Sequence, residues 1–178
     1  PSTPPMIAPS TAPPPLVQDP NPAYAKHLEL TNATPAKAAG LTGAGVTIGF
    51  VDSGVMRNHP ALSPRVKANL TYVDPAKNNV NKDDVVGHGT AVAQIAAGTA
   101  FGTWPGGVAP GASIVSARII SDKPPEDDGS GDGNEVDGAL GLEPVHNDLI
   151  SRGVRIMNNS WGGLYWTNPA ATAPIAGE

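Results

Sequence analysis

Two residues, Asp52 and His88, have the types and settings that acid–base chemistry needs. Asp52 directly follows Val46-Thr47-Ile48-Gly49-Phe50-Val51, an apolar, β-branched run with Gly43 and Gly45 before it and Ser53-Gly54 after it. Such a run reads as a buried strand. A carboxylate at its carboxyl end is poorly solvated and needs hydrogen-bond donors. Alone, it reads equally well as an aspartate capping the next turn. His88 stands in Gly87-His88-Gly89-Thr90, where the flanking glycines let backbone or a substrate come close. A lone histidine reads first as a structural residue. The pair says more: an aspartate that accepts from one imidazole nitrogen fixes the tautomer, and the other nitrogen is then free to take a proton from a hydroxyl.

The elements that must hold this pair alternate along the chain. A short helix is expected at Pro35–Gly40 with Thr34 as its cap, and the strand 46–51 follows. A less regular strand pattern spans Val66–Val73, and residues 74–87, with Asp74, Asp83 and Asp84, form a polar loop. His88–Ala97 is helical, with Ala91, Val92, Ile95 and Ala96 as its apolar face and Gly98 as its stop. Ile114–Ile120 is a second buried strand, Asp122–Gly133 an acidic Gly-rich loop, Asn134–Arg152 a helix capped by Asn134, and Val154–Asn158 a third strand. Alternation of this kind predicts an α/β fold with a parallel sheet flanked by helices, and its ligand at the carboxyl ends of the strands.

Composition removes other classes. The chain has 178 residues, no cysteine, and a formal net charge of -5. That excludes disulfides, a thiolate metal site and a basic nucleic-acid footprint. His27, His59, His88 and His146 show no HxH or HxxxH spacing, so no zinc cluster is expected. No apolar run approaches the roughly 20 residues of a membrane-spanning helix. Nine of the 20 prolines fall in residues 1–22, and residues 1–18 carry no charge, so 1–22 is expected to be a disordered leader and 23–178 the folded part.

Four motifs resemble, in order, those of the subtilisin-like serine proteases. Phe50-Val51-Asp52-Ser53-Gly54-Val55 with Asn58-His59-Pro60 is similar to the family's Asp motif. Gly87-His88-Gly89-Thr90-Ala91-Val92-Ala93 is similar to its His motif, and Gly107-Val108-Ala109-Pro110-Gly111-Ala112 to the segment after it. Met157-Asn158-Asn159-Ser160-Trp161-Gly162-Gly163 resembles its substrate-binding strand. The resemblance covers about residues 40–165. It implies a serine endopeptidase acting by Ser-His-Asp acyl transfer, with Asp52 orienting and His88 as general base, then acid. It implies an extended polypeptide substrate between two walls, Ser160, Trp161 and Gly162 on one side and Gly129, Ser130 and Gly131 on the other. Read without the family, Gly129–Gly133 is a flexible acidic loop, and Trp161 serves equally as a core aromatic.

The chain also departs from the pattern. Ala91 stands where a second histidine is usual, and Ala61 where many members place a calcium-binding aspartate. With 98–107 short for the loop that completes that site, no calcium or other metal and no cofactor is expected. The family's nucleophile opens a later helix in a Gly-Thr-Ser-like turn, and none of Ser113, Ser116, Ser121, Ser130, Ser151 or Ser160 has that context. Asn158 and Asn159 lie within the cleft strand and are not assigned as the oxyanion donor.

The expectation is therefore the N-terminal portion of a catalytic domain, inactive alone and partnered by the remainder of that domain. The alternative is a non-catalytic peptide-binding or scaffold module that retains part of the fold. A phosphoryl-acceptor role for Asp52 lacks the second acidic residue that Mg²⁺ would need nearby. The proline-rich leader also resembles surface autotransporter proteases. That implies a secreted or bacterial cell-surface location, with membrane contact only through an anchor outside this chain.

Overall fold

The computed structural model describes residues 26–122 and 141–161. The expected leader, residues 1–22, lies outside them, as do Gly129, Ser130, Gly131 and Gly162. The elements are α1 (Lys26–Leu30), α2 (Thr34–Ala38), β1 (Thr47–Asp52), β2 (Val66–Thr71), α3 (His88–Ala97), β3 (Ser113–Arg118), α4 (Leu142–Ser151) and β4 (Ile156–Asn158). The strands form a parallel sheet in the order β2-β3-β1-β4. This is the α/β arrangement that the alternation predicts.

Strand β1 is central, and its alternate side chains feed two cores. Ile48 and Phe50 join Val55, Leu62, Ala93, Ala97 and Ile114 on the α3 side. Val51 joins Val115, Ala117, Val145, Leu149 and Val154 on the α4 side. Strands buried on both faces read as continuous apolar runs, which is why β1 and β3 stand out in the sequence. The same period of two puts Asp52 on the face of Ile48 and Phe50, toward α3. Its pairing partner in the register is Arg118, at the end of β3. Arg118 is buried, and its guanidinium donates to the carbonyls of Ile120 and, at 2.7 Å, Asn79, which ties the 74–87 loop to the end of the sheet.

The N-terminal elements strap a loop to the body. The His27 ring stacks on Trp104 with centroids 4.6 Å apart, and its Nε2 donates to the Gly106 carbonyl at 3.0 Å. Lys37 Nζ donates to the Gly107 carbonyl at 3.0 Å.

Several expected boundaries move. Thr34 lies inside α2 and Ala33 takes the cap position. Strand β2 ends at Thr71 rather than Val73, and its pairing with β3 is irregular between Val66 and Ala68. Strand β3 runs 113–118 rather than 114–120, and β4 is confined to 156–158. Of the helix expected over 134–152, residues 134–140 lie outside the described residues; α4 runs Leu142–Ser151, and Gly141, with a φ of 68°, cannot belong to a right-handed helix. Pro144 sits in the first turn of α4, where its missing N–H would have had no helical acceptor.

Candidate active site

Asp52 closes β1 and His88 opens α3, so the two meet where the strand's carboxyl end faces the helix's N-terminus. His88 Nδ1 lies 2.8 Å from Asp52 Oδ1. A carboxylate can only accept here, so Nδ1 carries a proton, and in the neutral imidazole Nε2 then keeps the lone pair. The Ser53 N–H donates to the same Oδ1 at 2.7 Å. Asp52 is 2% exposed and the His88 side chain 30% exposed, so the orienting carboxylate is sealed while the imidazole reaches the surface. Asp52 Oδ2 is buried with no hydrogen-bond partner among the described residues.

Two glycines make this approach sterically feasible. Gly54 leaves the strand with a φ of 110°, in a backbone bridge to Asp84, and a Cβ on it would lie 1.9 Å from the Asp83 carbonyl oxygen. A Cβ on Gly89 would lie 2.1 Å from the Gly54 carbonyl oxygen and 3.1 Å from Asp52 Cβ. Strand exit and helix start are therefore packed backbone to backbone.

Around them runs a hydrogen-bonded brace that sequence reasoning missed. Ser53 Oγ accepts from the Gly89 N–H at 3.0 Å and donates to Asp84 Oδ1 at 2.9 Å. The N–H groups of Val86 and Gly87 also donate to Asp84 Oδ1, at 3.1 and 2.7 Å. Asp84 Oδ2 accepts from the Thr90 N–H at 2.9 Å and from the Thr90 hydroxyl. Thr90 Oγ1 in turn accepts from the Met56 N–H at 2.9 Å. The usable signal was an aspartate three residues before the helix cap Gly87, within reach of the orphan amides of the first turn. Next to it, the Arg57 guanidinium and backbone N–H both bind the Asp83 carboxylate. His59 is buried against Phe101 and accepts the Ala61 N–H on Nδ1 at 3.2 Å, and burial pushes this imidazole below its ordinary value.

The expected cleft wall is described only in part. In the register, Asn158 of β4 pairs with Phe50, two residues before Asp52, so Ser160 leaves the sheet beside the end of β1. Ser160 is exposed and its hydroxyl exchanges hydrogen bonds with the Asn158 amide at 2.8 and 3.2 Å. Trp161 packs against the α4-side core, with its Nε1 buried and unpartnered among the described residues. The serine hydroxyls of Ser53, Ser151 and Ser160 are bonded to Asp84, Asp148 and Asn158, and none is bonded to His88.

Residues 43–176 match the subtilase family, peptidase S8. Thermitase of Thermoactinomyces vulgaris is 34% identical over 122 residues, which is 68% of this chain and 39% of thermitase. An extracellular serine protease of Serratia marcescens is 33% identical over 140 residues, covering 76% of this chain and 11% of that protein. Among solved structures, MycP1 from the ESX-1 type VII secretion system aligns with 27% identity and a TM-score of 0.49, over 76% of this chain and 35% of that one. The chain thus spans well under half the length of these relatives. With the family match running across the Asp52 and His88 motifs and most of the chain, this protein belongs to the subtilase family.

Proposed function

We propose that this chain supplies the aspartate and histidine of a Ser-His-Asp peptidase that hydrolyses polypeptides. The observation that carries the reading is the 2.8 Å contact between His88 Nδ1 and the buried Asp52 carboxylate. It orients Nε2 as a proton acceptor at a half-exposed position. In the reaction, His88 Nε2 takes the proton of a serine hydroxyl as that oxygen attacks the substrate carbonyl. Asp52 stabilises the imidazolium that forms, and His88 then hands the proton to the leaving amine. Ser160, Trp161 and Gly162 form one wall for the extended substrate, and Gly129, Ser130 and Gly131 the other. The nucleophilic serine belongs to a part of the catalytic domain that this chain does not contain, so the chain alone is inactive and needs the remainder of the domain as its partner. We place the enzyme outside the cell, secreted or at a bacterial surface. The absence of cysteine is compatible with that, and one relative carries the name of an extracellular serine protease. No described helix is long and apolar enough to cross a membrane.

A fluorophosphonate probe, which labels activated serines covalently, tests this. The 178-residue chain should stay unlabelled and the protein carrying the complete domain should be labelled. His88→Ala and Asp52→Asn should each cut peptide hydrolysis by the complete protein by on the order of 10⁴-fold or more. Labelling of the isolated chain would overturn the assignment of the nucleophile. A complete protein that neither labels nor cleaves peptides would overturn the peptidase reading in favour of a peptide-binding module.

A further inference from the structure

The geometry points to Asp84 as a positioning residue for His88, acting through the Ser53 hydroxyl. The inference rests on the reading of His88 as the proton-transferring group, but its evidence is separate. Among the described residues, the side chains of Asp84 and Ser53 take the backbone N–H groups on either side of His88. The Gly87 N–H before it and the Thr90 N–H after it go to Asp84, at 2.7 and 2.9 Å. The Gly89 N–H goes to Ser53 Oγ at 3.0 Å, and that oxygen is itself held by Asp84 at 2.9 Å. Ser53 also reaches the other member of the pair, through its N–H to Asp52 Oδ1. Ser53 therefore grips both the orienting carboxylate and the backbone next to the base, and Asp84 fixes its rotamer. The Thr90 hydroxyl, shared between Asp84 and the Met56 N–H, extends the grip to the turn after β1.

A simple helix cap would account for the contacts to Thr90 N–H but not for this arrangement. A cap satisfies amides at the helix end and changes stability alone. Asp84 also sets the distance between two side chains it does not touch. Its negative charge makes these accepted hydrogen bonds the strong kind, and it stands at the positive end of a ten-residue helix. Asparagine at this position would keep one accepting oxygen and turn donors toward donors on the other side. It should therefore act as a partial replacement.

The test reads the Asp52–His88 hydrogen bond directly, by nuclear magnetic resonance of the Nδ1-bound proton in the ¹⁵N-histidine-labelled 178-residue chain. The resonance is assigned by its loss in His88→Gln. Asp84→Ala should speed exchange of that proton with water by at least about tenfold, the scale set by losing one hydrogen bond, or broaden it away. Asp84→Asn should give an intermediate rate. Backbone amide protection in β1 and β3 should persist, which a general loss of fold would not allow. Arg57→Ala, which cuts the neighbouring ion pair to Asp83, should leave the resonance in place. Should Asp84→Ala not fold, Ser53→Ala removes a single hydroxyl and should produce the same loss. An unchanged His88 proton in Ser53→Ala and in a folded Asp84 variant overturns the assignment. Because the readout involves no turnover, it separates failure of this inference from failure of the peptidase reading.

Discussion

Gly89→Ala sets two effects of opposite sign against each other in the first turn of α3. Helix propensity alone favours alanine over glycine by about 1 kcal/mol. The structure says otherwise, because the new Cβ would lie 2.1 Å from the Gly54 carbonyl oxygen. A real contact of that kind needs about 3 Å or more, so helix and strand exit must part by about 1 Å. The obstacle is backbone, not a flexible side-chain end. Gly54 cannot retreat either, since its own Cβ position is already 1.9 Å from the Asp83 carbonyl oxygen. Overpacking of this type costs about 1–3 kcal/mol. The separation also removes the Gly89 N–H bond to Ser53 Oγ, worth about 0.5–1.5 kcal/mol. Even after the propensity gain, the net loss is about 0.5–3.5 kcal/mol. Urea unfolding of the two proteins, followed by circular dichroism, measures it. Thermal melting should fall by about 2–4 °C for each kcal/mol in a chain of this size. A variant as stable as the parent, or more stable, would refute the close approach of α3 to β1 and with it the reason given for a glycine after His88.

Two further outcomes follow from titrating groups. Burial holds the His59 imidazole below its ordinary 6.5, so above that pH its contribution is fully present; as pH falls below it the unfolded chain takes the proton first and stability declines until the folded imidazole titrates. His59→Asn, whose carbonyl oxygen can accept the Ala61 N–H, should flatten the acid side of the stability–pH curve, and equal slopes in the two proteins would sink this account. Burial, followed by the hydrogen bond to Asp148 and that residue's charge, pushes the Tyr72 phenol above its ordinary 10. Stability from this contact is complete below pH 10 and is lost as the pH rises beyond it, because the unfolded phenol ionises first. Ultraviolet titration should show one of the three tyrosines lagging in the parent, and the lagging step should disappear in Tyr72→Phe at a cost of about 0.5–1.5 kcal/mol.

The parts of the fold that could be read from the sequence are those in which local pattern and tertiary role agree. Thr47–Asp52 is both an apolar β-branched run and the central strand, and His88–Ala97 is helical as expected, but its packing face is corrected: Ala93 and Ala97 enter the core, Val92 and Ala96 border it, and Ile95, expected on the apolar face, is exposed. From these two alone the meeting of Asp52 with His88 follows, since a strand's carboxyl end and the next helix start share one edge of a parallel sheet. The brace was hidden for the opposite reason. Asp84 lies in a polar loop with no periodicity, and of the five hydrogen bonds its carboxylate accepts, those from the Ser53 hydroxyl and from the Thr90 N–H and hydroxyl exist only because β1, the loop and α3 converge. Only its position three residues before the cap Gly87 marks Asp84 apart from Asp83, which faces outward to Arg57 instead. The helical reading of 134–152 runs across Gly141, whose positive φ separates it from the right-handed helix that begins at Leu142.

The central place of β1 also has a kinetic side. Its partners arrive late: Thr47 pairs with Ser113 and Ile48 with Ile156, separations of 66 and 108 residues. At roughly 5–20 residues per second of synthesis, the strand waits on the order of ten seconds before both neighbours exist. During that interval Ile48, Phe50 and Val51, all destined for the interior, are exposed on an unpaired apolar strand, the kind of segment that invites association with other chains or capture by a chaperone. The aspartate at the end of β1 thus emerges long before the scaffold that orients it, and the pair with His88 is completed only as the sheet closes.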